Sequence, residues 1–274
     1  MRLSASAAAA SRLQVEIDFP SPEGAGVRTH VRKRPYIDQH LPDHPGYDPA
    51  KADIPLQVRP VPVNAGSVAL FPIAYLVCQA PHSTIGAHFH RVNQFQVFVG
   101  GSGGFGGVPA AAPMVHYANA WSAYGPIRAG AEGIDYFTLR PAWDKGAAWM
   151  PESAAQLRAV PDRKVRNVIY PKVEAWSAPA DGAPRVTCLG SDADGLGVWV
   201  IDAAAGQAMP GLPPAAGGGQ YWLVLEGGLQ PAGAGADASL GPLDLVFLST
   251  DEEPFAARAT GPTQVVVTQF PRTA

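Results

Sequence analysis

Charge is scarce in this chain: Asp, Glu, Lys and Arg make up 16% of its 274 residues and leave a net charge of −3. No basic cluster is large enough to line a nucleic-acid groove, and the run Arg163, Lys164, Arg166 reads as a solvated loop. Cysteine is almost missing. Cys78 and Cys188 stand far apart in strand-like surroundings, so two buried free thiols are expected rather than a disulfide, which suits a reducing, cytoplasmic compartment. No run approaches the ~18 apolar residues of a membrane-spanning helix, and no membrane partner is expected. The first residues, M-R-L-S-A-S-A-A-A-A-S-R-L, have an early arginine but lack the apolar core, roughly 7 to 15 residues, of a secretory signal; they read as a flexible start.

What the chain has in quantity is turn-formers, 30 glycines and 28 prolines. With so little charge, this favours many short strands joined by turns and a mainly β class, on a length that allows two domains. Residues 14–60 mix short apolar pieces with Pro-rich turns and read as an extended arm, of the kind that covers an edge strand or reaches a partner subunit; a homodimer is expected. His30, His40 and His44 in this arm read as surface or turn histidines. From Ser67 to Cys78 the sequence reads as a buried strand.

The stretch from Thr84 to Gly107 carries the chemistry. His88 and His90, one residue apart on a strand, face the same way and can grip one metal ion. Gln94 keeps their parity, and the apolar run Phe95, Val97, Phe98, Val99 then ends in glycines expected to stop the strand. The string from Gly101 to Gly107 lacks the Lys-Ser/Thr of a phosphate loop, so it reads as a hairpin.

This stretch resembles the first motif of the cupin superfamily, G-x5-H-x-H-x3,4-E-x6-G. His88, His90 and Gly101 fall in register, while His82 stands in the opening glycine slot and Gln94 in the glutamate slot. The second motif, G-x5-P-x-G-x2-H-x3-N, is laid from Pro113, which puts Tyr124 in the histidine slot and Arg128 in the asparagine slot. The resemblance implies a double-stranded β-helix, or jelly-roll, barrel holding a divalent ion (Fe, Mn, Ni or Zn) on His88, His90 and Gln94. A carboxamide is a weaker ligand than a carboxylate, so weaker binding or another ion is expected. Tyr124 and His116 are the candidate catalytic residues, either of them completing the ligand set; His116 is otherwise a core histidine behind the ligands.

The second half repeats the first. Q-Y-W-L-V-L-E-G-G from Gln220 matches Q-F-Q-V-F-V-G-G from Gln94, L-D-L-V-F-L from Leu243 matches P-M-V-H-Y-A from Pro113, and the closing strands Y-F-T-L-R-P and V-V-V-T-Q-F-P correspond. Two barrels of the same family follow. The expected layout is an arm over 1–60, a first cupin barrel over 61–141, a connection over 142–184 and a second barrel over 185–274. The connection is expected to hold a short helix near 151–157 and a strand over 165–170. In the second barrel the places of His88, His90 and Tyr124 fall to Pro214, Ala216 and Pro254, so it is expected to bind no metal, and Asp251, Glu252 and Glu253 read as a solvated turn. The resemblance implies a metal-dependent enzyme acting on a small organic molecule, a dioxygenase foremost, with isomerase or lyase chemistry also open. The alternative is a non-catalytic bicupin that binds or senses a small ligand.

Overall fold

A computed structural model of the chain describes residues 2–8, 15–20, 28–37 and 72–272, apart from 143, 145, 171, 180, 181, 236 and 237. The chain divides into two compact units, Leu13–Ile169 and Met1–Arg12 with Tyr170–Ala274. The first strand, β1 (Arg2–Ala5), therefore belongs with the second half.

Leu13–Ile169 forms the first barrel. In it, β2 (Val15–Pro20), β3 (Arg28–Ile37) and β4 (Ile73–Gln79) are followed by the short β5 (Thr84–Ile85) and β6 (His88–Phe89). Next come β7 (Gln94–Phe105), β8 (Val108–Ala111), β9 (Met114–Ala118) and the long β10 (Ile127–Arg140). The unit closes with β11 (Ala148–Trp149), a five-residue helix α1 (Ala154–Arg158) and β12 (Asn167–Ile169). The main sheet runs β12-β9-β7-β10-β4-β3-β2, with β5 on β10 and β8 on β7, while β6 and β11 form a separate pair. Part of the arm therefore does cover an edge strand, since β3 pairs along β4 from Val31↔Gln79 to Ile37↔Ala74. His40, His44 and the start of the Ser67–Cys78 run lie outside the described residues.

The two faces of this sheet differ because side chains alternate. Phe95, Val97, Val115, Tyr117, Phe137 and Leu139 share one fully buried face. The other face carries, row by row, Val77, Tyr136, Phe98 and Met114; then Tyr75, Thr138, Gln96 and His116; then Arg140 and Gln94. This face lines the lumen, apolar at one end and polar at the other. The apolar end continues into Phe105, Ile127 and Ile134.

The second barrel contains β13 (Arg185–Ser191), β14 (Gly197–Ala203), β15 (Gln220–Glu226), β16 (Leu229–Pro231), β17 (Leu245–Leu248), β18 (Ala257–Ala259) and β19 (Thr263–Gln269). Its sheet runs β1-β17-β15-β19-β14-β13, with β16 and β18 as a separate pair. Gln220, Trp222 and Val246 meet across β15 and β17 as Gln94, Gln96 and His116 meet across β7 and β9, so the repeat keeps its register.

Several expectations need correction. The flexible start is a strand: Arg2 to Ala5 pair with Leu248 to Leu245, which satisfies a row of backbone groups that β17 would otherwise leave open. The supposed connection contributes β11, α1 and β12 to the first barrel, and the second unit begins at Tyr170 rather than 185. The glycines at 101–105 do not stop the strand. A Cβ on Gly103 would stand 1.9 Å from the Arg128 carbonyl, so glycine lets β7 and β10 stay in contact there, and the turn falls at Gly106 and Gly107. Both thiols are free, but only Cys78 is partly buried; Cys188 is exposed, because β13 is an edge strand.

Candidate functional site

His88, His90, Gln94, His116 and Tyr124 are all buried in the first barrel and lie toward the polar end of its lumen. Backbone pairing puts them there. His88 pairs with Trp149 and also bridges Tyr124, exchanging N–H···O bonds of 3.1 and 3.0 Å with it, and the His90 carbonyl takes the Trp121 amide at 2.7 Å. The His88 and His90 rings meet edge to face with centroids 5.2 Å apart. His82, in the slot that the resemblance gives to glycine, has φ 58°, the left-handed region that glycine enters without strain; Gly101, φ 70°, ends the motif in the same region.

One chain of hydrogen bonds joins most of the cluster. Arg140 Nε–H donates to Gln94 Oε1 at 3.2 Å. The Gln94 amide N–H donates to the Tyr124 oxygen, and Tyr124 O–H donates to His88 Nε2 at 2.8 Å. His88 Nδ1–H donates to the Gly86 carbonyl at 2.8 Å. A guanidinium has only donors, so it fixes the Gln94 amide with its oxygen toward Arg140 and its NH2 toward Tyr124.

His90 is held differently. Its Nδ1–H donates to the Asp144 carboxylate. Arg140 Nη2 lies 3.2 Å from Nδ1 and 3.0 Å from Nε2. A nitrogen almost equidistant from both ring nitrogens sits over the ring face, because in the ring plane that place belongs to the C–H between them. The in-plane lone pair of His90 Nε2 is therefore not spent on Arg140. Arg140 also stands 5.5 Å from the Tyr75 ring centroid.

Burial governs the protonation states. It lowers the His88 pKa to about 4 and that of His90 well below 6.5, with Arg140 adding to both shifts. Both imidazoles are thus neutral near pH 7. Burial pushes Tyr124 up, so its hydroxyl stays protonated, and it raises Asp144 against the opposing pull of Arg140.

His116 stands apart from this chain. Its ring nitrogens meet Gln96 Oε1 at 2.9 Å and Asn167 Oδ1 at 2.6 Å, and burial lowers its pKa to about 4. Neutral imidazole has one N–H, so one of the two amides presents its NH2 instead. The ring packs 4.3 Å from Phe105 and 5.2 Å from Tyr124. Its place is behind Tyr124, with both nitrogens engaged.

Arg140 and Asp144 were not singled out from the sequence. Arg140 had a signal: Tyr136, Thr138 and Arg140 share one parity in the closing strand, which puts an arginine on the lumen face. Asp144 lies in the loop beyond that strand and has no local signal.

Two features suit a divalent ion: each imidazole donates Nδ1–H outward and is neutral, as metal-bound histidines are. The rest of the donor set does not suit it. The oxygen of Gln94 is turned to Arg140, Tyr124 is protonated, a guanidinium lies against His90, and among the described residues no carboxylate stands with the two imidazoles on their Nε2 side. Among the described residues no group of three or more His, Cys, Asp or Glu side chains is placed to hold a metal. As they stand, these residues do not fit a resident divalent ion.

Among the described residues the second barrel has no such cluster. Where the first has Gln96, Thr138 and His116, it has Trp222, Val267 and Val246, packed with Met209, Phe255 and Ile201 into an apolar core. Pro214 and Ala216 sit in a short 3-10 turn; Asp251 and Glu253 are exposed as expected, while Glu252 is half-buried, with its carboxylate 3.6 Å from Arg2 Nε.

No protein-family model matches the sequence, and no curated protein matches it. Solved structures do. A candidate dioxygenase from Nostoc punctiforme superposes with a TM-score of 0.61 at 9% identity, over 98% of this chain and 82% of that one. HEPD from Streptomyces albus, with 2-hydroxyethylphosphonate and Fe(II) bound, gives 0.56 at 14% identity, over 100% of this chain and 76% of that one. The pirin YhhW of Escherichia coli, in complex with nickel(II), gives 0.53 at 10% identity with 100% of both chains covered. The fold is the cupin-type barrel fold that these proteins share, two of them solved with Fe(II) or nickel(II) bound.

Proposed function

We propose that the first barrel binds a small organic acid or phenol without a resident metal, its apolar body against Phe98 and Phe105 and its polar end against His90, Tyr124 and Arg140. One observation carries this reading. The His90 imidazole is buried and neutral, its in-plane Nε2 acceptor is not used by Arg140, and a cationic guanidinium lies against the same ring. An acceptor beside a cation suits a ligand that offers both an O–H and an anionic or polarised oxygen. A cytoplasmic homodimer belongs to the same reading, the two free thiols suiting a reducing compartment.

The test is a screen of small organic acids and phenols against EDTA-treated full-length protein by thermal shift, followed by titration calorimetry. A ligand that raises the melting temperature, and whose affinity falls roughly tenfold in Tyr124→Phe, is the expected result. Binding that appears only after a metal is restored would overturn it.

A second reading, the metal-dependent enzyme of dioxygenase type, is favoured by the outward Nδ1–H bonds of His88 and His90. It requires about one ion per chain by elemental analysis, lost in His88→Ala/His90→Ala. It also requires an activity that chelation removes.

A further inference from the structure

We infer that Arg140 is a resident cation that closes the His88–His90 site to divalent metal, and that the site takes up metal once this charge is removed. The inference deepens the metal-free part of the reading above and rests on it, while the binding of an organic acid or phenol is tested separately.

The internal repeat supplies the comparison. Arg140 and Gln269 hold the same place, at the ends of β10 and β19, beside Gln94 and Gln220 respectively. In the second barrel the two side chains are amides: Gln220 Nε2–H donates to Gln269 Oε1 at 2.6 Å, and Gln220 Oε1 faces the lumen, where it accepts the Trp222 N–H at 3.1 Å. In the first barrel the neighbour is a guanidinium, which can only donate. Gln94 is therefore reversed, with its oxygen toward the closing strand and its NH2 inward. Arg140 thus acts twice. It turns the Gln94 oxygen away from the imidazoles, and it holds a positive charge against His90, whose Nδ1 is bonded to Asp144. A dication entering between the rings would meet a fixed cation and an amide nitrogen where it needs an anion and an oxygen.

The test is Co(II) and Ni(II) titration of the full chain, followed by visible absorption and calorimetry. Five proteins are compared: the natural chain, the natural chain with His88→Ala/His90→Ala, Arg140→Gln, Arg140→Gln/Gln94→Glu, and Arg140→Gln/Gln94→Glu with His88→Ala/His90→Ala. Arg140→Gln copies the pairing that the second barrel already folds with. The natural chain is expected to bind neither ion through these histidines. The double variant is expected to bind one ion at least ~100-fold more tightly, with the binding lost in the quadruple variant. One equivalent of ion on the natural chain, removed by His88→Ala/His90→Ala, would overturn the inference. So would a folded double variant that binds no better than the natural chain. If circular dichroism shows the double variant unfolded, Arg140→Gln alone carries the same two outcomes. Organic-acid binding in EDTA is read separately, so its failure is not mistaken for failure here.

Discussion

At the scale of single residues, the lumen is costly to protonate. His88 and His116 have pKa values of about 4 in the fold against 6.5 when free, and His90 is also lowered. Between those two pH values the unfolded chain takes up protons on these rings and the folded chain does not. Stability is therefore full above the free value and falls as pH drops through the window, by up to about 1.4 kcal/mol per pH unit for each ring. Urea midpoints measured from pH 7.5 to 4.5 should show a steep decline. His116→Val should flatten that slope by about a third, and at pH 7.5 it should cost ~1–3 kcal/mol because Gln96 loses a buried partner. The same residues show where the sequence could be read and where it could not. The parity of His88, His90 and Gln94 was legible because alternation in a strand is local. The orientation of the Gln94 amide was not, since it depends on Arg140, 46 residues away.

At the scale of elements, β7 and β10 form the frame that sets the site, and glycine makes their contact possible. Gly103→Ala should cost ~2–4 kcal/mol in chemical denaturation, because its Cβ would lie 1.9 Å from the Arg128 carbonyl and the strands would have to part. Gly107→Ala, at the turn with nothing within 4 Å of its Cβ, should cost less, although its φ of 98° adds strain. The strands themselves were legible from their β-branched and aromatic runs. The glycine run was misread because a composition that marks turns also marks close backbone approach, and only the partner strand tells the two apart.

At the scale of the whole molecule, two barrels of one pattern have gone different ways. Gln96 and His116 keep a polar lumen in the first, while Trp222 and Val246 fill the second. Trp222→Gln should leave a cavity and a stranded amide among Val246, Val267 and Phe255, at a cost of ~3–5 kcal/mol, read as a lower melting temperature. The repeat was legible because its register is written in short apolar strings. The division of the chain into units was not, since the pairing of β1 with β17 leaves no local trace in Arg2–Ala5.

That pairing has a consequence for synthesis. Arg2 leaves the ribosome ahead of its partner Leu248 by the time needed to make the stretch between them, roughly 10 to 50 s at ordinary elongation rates. By then Leu13–Ile169 has been fully translated and is free to fold. The second barrel cannot close before β17 and β19 have been made, so the order of manufacture favours the barrel with the polar lumen, and β1 waits without its partner strand until then.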